Sequence, residues 1–148
     1  MKSRTVVAAA RLLLGLIFFV FGLNGFLHFL PQPPLSGPPA AFFGALLATG
    51  YMIPLLKGTE VISGALLLSG RYVPLALTLL APVIVNIVAF HAFLAPSGIA
   101  LPLVVLALEI GLAWTYRASY RGVLEARAEA GDPPSERTPH GRATAAHA

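Results

Sequence analysis

The sequence predicts an all-α fold inside a membrane: an integral four-helix bundle with a short interfacial or re-entrant helix on its outer side. Three observations carry this. The chain of 148 residues is 57% hydrophobic and 11% charged, and its mean hydropathy is +0.79. No Asp, Glu, Lys or Arg occurs between Arg11 and Lys57, or between Arg71 and Glu109. Each gap exceeds the roughly 20 apolar residues that a spanning helix needs. The basic residues, finally, gather at the ends of the apolar runs, where membrane orientation requires them.

The first span reads from about residue 6 to 30. It follows Lys2, Arg4 and Arg11 and ends in Asn24, Gly25 and His28 without a small-residue cleavage site, so it reads as an uncleaved helix. Residues 31–39 carry five prolines and read as an extended loop, because proline fixes φ and removes a backbone donor. Ala40 to Thr49 is apolar but too short to cross, which suits a helix lying in the interface or dipping back. The second span reads as 51–69, with Pro54 in its first turn, where proline is tolerated. The third reads as 73–94, with Pro82 inside it and a kink expected there. The fourth reads as 99–116, closed by Trp114 and Tyr116 as interfacial anchors. Residues 1–120 thus form one transmembrane domain. Residues 121–148, rich in Ala, Arg, Glu, Pro and Gly, read as a disordered cytoplasmic tail; His140 and His147 lie there and carry no assignment.

Orientation follows from Lys2, Arg4, Arg11, Arg71, Arg117 and Arg121, which put both termini and the Arg71 turn in the cytoplasm. The same distribution accounts for the net charge of +4 and sequence pI near 10, so nucleic acid is not an expected partner. The chain has no cysteine, which excludes disulfides, thiolate metal sites and thiol redox chemistry within it.

Seven polar side chains fall in the apolar spans: Asn24, His28, Lys57, Glu60, Asn86, His91 and Glu109. Ionised groups at a helix centre cost about 2.5–3.5 kcal/mol each, so they should face inward and find partners. At 1.5 Å per residue from the outer helix ends, Asn24 and Lys57 lie about 9 Å deep, Asn86 about 12 Å, Glu60 about 14 Å and Glu109 about 16 Å. His28 and His91 lie nearer the outer surface. All four helices therefore bring a polar group to the outer half. Asn24 and His28 are four apart and Lys57 and Glu60 three apart, so each pair shares a helix face. Asn86 and His91 are five apart, about 140° around the helix, so either Pro82 rotates them together or one falls outside the group; Asn86, the deeper, is the one expected inside.

Two readings follow. In one, these groups only specify helix packing: Lys57 and Glu60 pair, and the asparagines hydrogen-bond across helices. In the other they line a small polar pocket open to the outer side, lidded by Ala40–Thr49, for a quinone headgroup, a small solute or a proton. No tight His and carboxylate spacing occurs, so no metal site is expected. Gly15 and Gly22, and Gly58 and Gly64 beside Thr59 and Ser63, read as helix-packing positions.

The segment from Arg11 to Gly22 (RLLLGLIFFVFG), the pattern Lys57-x-x-Glu60-x-x-x-Gly64-x-Leu-Leu-Leu-x-Gly70 and the four-span layout resemble the DoxX family of small bacterial membrane proteins. The resemblance covers roughly Arg11 to Tyr116. It implies a multi-pass protein of the bacterial plasma membrane, an accessory or quinone-handling subunit of a membrane redox system, partnered by the lipid bilayer and by a membrane or peripheral oxidoreductase. It does not imply thiosulfate chemistry in this chain, which has neither cysteine nor a cofactor motif. The long loop at 31–39 departs from the family pattern. The alternatives are a small-solute or proton transporter and a packing scaffold without a site; catalysis by this chain alone is not expected.

Overall fold

A computed structural model describes residues 2–31, 34–122 and 124. The expected tail falls, from residue 125 onward, outside the described residues. The described residues form five α-helices and no strand. These are α1 (Lys2–Leu27), α2 (Pro38–Ala48), α3 (Met52–Ser69), α4 (Val73–Phe93) and α5 (Ala100–Thr115), with short 3-10 turns at Pro96–Gly98 and Arg117–Tyr120. Three of them, α1, α3 and α4, are long and apolar enough to cross a membrane. The fourth expected span is an apolar helix of 16 residues, α5, shorter than the roughly 20 of a perpendicular crossing.

Local chemistry explains the ends. α1 stops three residues before the apolar run does. His28 turns left-handed at φ 51°, and the Asn24 side-chain oxygen accepts the Leu30 N–H at 2.6 Å, closing the turn. α2 opens on Pro38 and Pro39, whose missing N–H groups would be unsatisfied there in any case. The Thr49 hydroxyl donates to the Leu46 carbonyl at 2.6 Å and accepts from the Met52 N–H at 3.1 Å, bridging α2 to α3. α3 ends on Gly70 at φ 71°, with Arg71 N–H returning to the Leu66 carbonyl at 3.2 Å. α4 runs unbroken through Pro82, which stands exposed on its surface.

The helices pack α1 on α3, α3 on α4, α4 on α5, and α5 back on α1. Gly15 of α1 lies against Leu67 and Leu68 of α3, Gly22 against Val61, and Gly25 against Lys57, so the two helices run antiparallel. This seam is close. A Cβ at Gly64 would stand 2.6 Å from the Phe19 backbone nitrogen, and one at Gly22 would stand 2.8 Å from Val61 Cγ2. Gly58, by contrast, faces open space and packs nothing. The Arg11 guanidinium donates to the Leu67 carbonyl, which also accepts the Gly70 N–H at 3.2 Å, with the Leu68 carbonyl at 3.5 Å; a side chain of α1 thereby ties down the C-terminal carbonyls of α3. Leu14, Phe18, Leu67, Ala76, Leu77, Leu80, Ile84 and Leu112 form the buried centre. We refer to the two ends of this packing as the Arg11 end and the His91 end.

Candidate functional site

Toward the His91 end the helices leave a cavity of about 220 Å³ between them. α1 contributes Ile17, Phe18 and Phe21, α3 Lys57 and Glu60, and α4 Ile87 and His91. The Pro96–Gly98 turn and α5 complete it with Gly98, Leu101, Pro102 and Val105. Eight of these eleven residues are apolar or glycine, and the three polar ones come from α3 and α4. Phe21 and Leu101 are themselves 45% and 55% exposed, so the cavity opens sideways between α1 and α5 through an apolar mouth.

Lys57 and Glu60 sit one turn apart on α3, which puts both on the cavity face. The ammonium Nζ donates to both carboxylate oxygens, at 3.0 Å to Oε1 and 2.8 Å to Oε2. Glu60 is buried, while the Lys57 side chain keeps part of its surface open. The Lys57 stem crosses α1 at Gly25, where any larger residue would meet its methylenes. Opposite stands His91. Its Nδ1 is 2.8 Å from the Ile87 carbonyl oxygen. A carbonyl only accepts, so Nδ1 carries the hydrogen, and the neutral ring offers its Nε2 lone pair. Gly98 lies against that edge of the ring.

These three groups give a ligand one remaining ammonium donor, a carboxylate acceptor and an imidazole that either accepts or, once protonated, donates. The rest of the wall is apolar. A dry cavity of about 150 Å³ holds a benzene molecule. This one, at about 220 Å³, is larger and carries its three polar groups together with an otherwise apolar wall.

The other four sequence candidates lie elsewhere. Asn24 is buried at 2% exposure, but its oxygen is occupied in closing the end of α1. His28, at that left-handed turn, is exposed. Asn86 is exposed on the outside of α4, and His91 is the polar α4 residue that lines the cavity, the reverse of the sequence expectation. The reason is helix geometry: residues five apart on one continuous helix lie about 140° around it from each other. Glu109 is buried at 6% exposure one turn below Val105, outside the cavity lining. It lies close enough to the Arg11 end for its charge to act on Tyr120.

Two features were not read from sequence. The apolar wall from α1 and α5 follows from residues 17, 18 and 21 and 101, 102 and 105, each set one helix turn long. Nothing in their composition separates a cavity wall from a lipid-facing stripe. The Tyr120 hydroxyl donates to the Pro74 carbonyl at 3.0 Å, tying the turn after α5 to the start of α4. Burial holds that hydroxyl above the usual tyrosine value, against a hydrogen bond with Thr78 that lowers it; the Glu109 charge raises it further.

The short helix α2 contributes no residue to the cavity wall. It rests on α3 and on α4, with Phe42 and Phe43 each 5.4 Å from the Phe90 ring centre. Phe90 in turn meets the His91 ring edge-on at 5.2 Å. Among the described residues, no three His, Cys, Asp or Glu side chains gather as metal ligands would. Comparison with protein-family models, curated proteins and solved structures finds no match to this chain.

Proposed function

We propose that the chain is a four-span plasma-membrane protein that holds a quinone headgroup as an accessory subunit of a membrane redox system, and is not catalytic alone. The supporting observation is the cavity itself: Lys57, Glu60 and His91 on one side, apolar wall elsewhere, and a mouth framed by exposed Phe21 and Leu101. A lipid-soluble ring bearing carbonyl or hydroxyl oxygens matches this division, since its oxygens meet the ammonium and imidazole while its body replaces hydrocarbon contacts. The DoxX-like strings at residues 11–22 and 57–70 favour the same reading. Lys57 and His91 would hold the oxygens, and the quinone would supply two-electron redox chemistry to a partner oxidoreductase.

The test is to extract and identify lipid-soluble ligands from the purified full-length protein, then titrate short-chain quinones into protein freed of them. Retained quinone, with affinity lost in Lys57→Met and His91→Ala, supports the reading. Protein free of quinone, together with an unchanged redox phenotype in a Glu60→Gln strain, overturns it. Orientation is tested in the same preparation. The chain has no cysteine, so single cysteines placed at Ser69 and Ser97 report their side of the membrane by labelling. Cytoplasmic termini require Ser69 to label from the inside and Ser97 from the outside.

A further inference from the structure

At the Arg11 end, α1 and α5 leave a second groove between them, of about 190 Å³. Val6, Val7 and Ala10 form its α1 wall, and Ala107, Gly111 and Thr115 stand on its α5 wall. Val6, Ala107, Gly111 and Thr115 are exposed, so the groove opens outward along the helices. A Cβ at Gly111 would meet nothing within 4 Å, so no side chain of the fold fills this space. The Thr115 hydroxyl donates to the Gly111 carbonyl at 2.8 Å, which spends its proton on its own helix and leaves the wall apolar. Exposed Ile110 and Trp114, three residues past Ala107 and Gly111, flank the α5 side.

Charge marks one end of the groove. Arg4 precedes Val7 by three residues and shares its helix face. Arg117 follows Thr115 by two, in the turn that ends α5. Its Nη1 donates to the Trp114 carbonyl at 3.0 Å, and its guanidinium carbon lies 5.2 Å from the Trp114 ring centre, so it is held on the groove's flank. Both arginines are exposed. The carboxylates among the described residues are Glu60, which pairs with Lys57, and Glu109, which is buried. Neither arginine therefore has a carboxylate partner among the described residues.

We infer that this groove binds an anionic phospholipid, with one acyl chain along the α1 and α5 walls and the phosphate on Arg4 and Arg117. The guanidinium fork matches phosphate oxygens, and basic pockets between membrane helices suit such headgroups. A chain lying in the groove gains contacts on two walls, where one on a flat helix face would gain them on one. Two other occupants fit less well. Copies of a membrane protein share one orientation, so a symmetric pair through this groove would bring like guanidinium groups together. Residues 125–148 offer Glu125, Glu129, Asp132 and Glu136 but no Val, Leu, Ile, Met, Phe, Tyr or Trp to fill an apolar groove. This inference goes beyond the quinone reading and does not depend on what fills the cavity.

Trp114 is the chain's one tryptophan, so its fluorescence reports the groove directly. The full-length protein is reconstituted in bilayers of phosphatidylcholine and phosphatidylglycerol, with bromine on the acyl chains of one lipid at a time to quench that tryptophan. Brominated phosphatidylglycerol should quench several-fold more effectively per molecule than brominated phosphatidylcholine. Arg4→Gln, which leaves the Trp114 contacts intact, should reduce that preference, and Arg4→Gln with Arg117→Gln should abolish it. Gly111→Leu should fill the groove and remove the preference with both arginines in place; should it fail to fold, Ala107→Leu on the same wall decides. Equal quenching by the two lipids in wild type overturns the inference. So does a preference that survives the filled groove, which would make it attraction to the basic surface alone. A wild-type dimer in pure phosphatidylcholine that Gly111→Leu dissociates overturns it as well, by giving the groove to a second copy.

Discussion

Helix α1 has two neighbours, and its two seams are built on opposite principles. Against α3, glycines face side chains and backbone directly: Gly15 meets Leu67, Gly22 meets Val61, and Gly64 meets the Phe19 backbone. Against α5 the small residues face each other's absence. Gly111 has nothing within 4 Å of where a Cβ would stand, and together with Ala107 and Thr115 it borders a groove of about 190 Å³ with Val6, Val7 and Ala10. The other end of the same seam is the mouth of the candidate cavity. A small residue draws helices together only where its partner can enter the space it leaves. One seam is therefore a clasp, and the other leaves room for a ligand.

The largest expected effect breaks the clasp. Gly64→Val places methyl groups against the Phe19 backbone, which cannot rotate away as a side chain would. A loss of about 3 kcal/mol is expected, read as an earlier midpoint in detergent-induced unfolding. An unchanged midpoint would show that the seam is looser than the geometry requires.

Next comes the ion pair that borders both seams. Glu60→Leu leaves the Lys57 ammonium without its partner at a partly exposed site, at a cost of about 2 kcal/mol. Adding Lys57→Met should restore most of the stability while abolishing ligand binding. If the double variant retains quinone with wild-type affinity, the polar side of the cavity is packing only.

A smaller effect sharpens the open seam. A Cβ at Gly98 would stand 2.9 Å from His91 Cδ2, so Gly98→Ala should displace the ring. Affinity for a short-chain quinone should fall several-fold while the unfolding midpoint stays in place. Gly111→Ala should act in the opposite direction, gaining about 0.5–1 kcal/mol because alanine favours the helix and meets no neighbour.

The smallest effect concerns Tyr120. Its folded-state value lies above the ordinary tyrosine value of 10.0, chiefly through burial. The native protein thus holds this proton more tightly than the unfolded chain does, a contribution present below pH 10 and lost as pH rises through the folded value. Wild type should lose stability relative to Tyr120→Phe in alkaline unfolding titrations, and parallel curves would show that the Tyr120 contact is not kept.

The helices were legible because a membrane-like composition leaves few alternatives. Proline and glycine mark the breaks at 34–37, 70 and 96–98, although the expected loop at 31–39 ends two residues early because Pro38 and Pro39 open α2, and apolar length marks what lies between. The end of α1 was not legible, because Asn24 reads as one more polar residue in a span until its oxygen is seen on the Leu30 N–H. Of the candidate residues, Lys57 and Glu60 were placed together by their spacing of three, and they pair in the structure. Asn86 and His91 could not be ranked from depth alone. Depth along a helix is set by residue number, whereas facing depends on how the whole helix is rotated against its neighbours.

The sequence by itself determined helical apolar segments, four by its own reading, since hydrocarbon tolerates only backbones that satisfy their own hydrogen bonds; three of the described helices are long and apolar enough to cross a membrane. It also determined which polar residues had to find places within those segments. Only the tertiary structure decided which of them meet. Packing α1 on α3 and α5, and α4 on the same two helices, turned His91 inward and Asn86 outward, spent Asn24 on a helix end, and left Glu109 buried outside the cavity lining with an oxygen unpaired among the described residues. Those outcomes depend on rotation and close approach between helices. The glycine contacts along α1 and α3 are among the features that set them, and a one-dimensional pattern does not contain them.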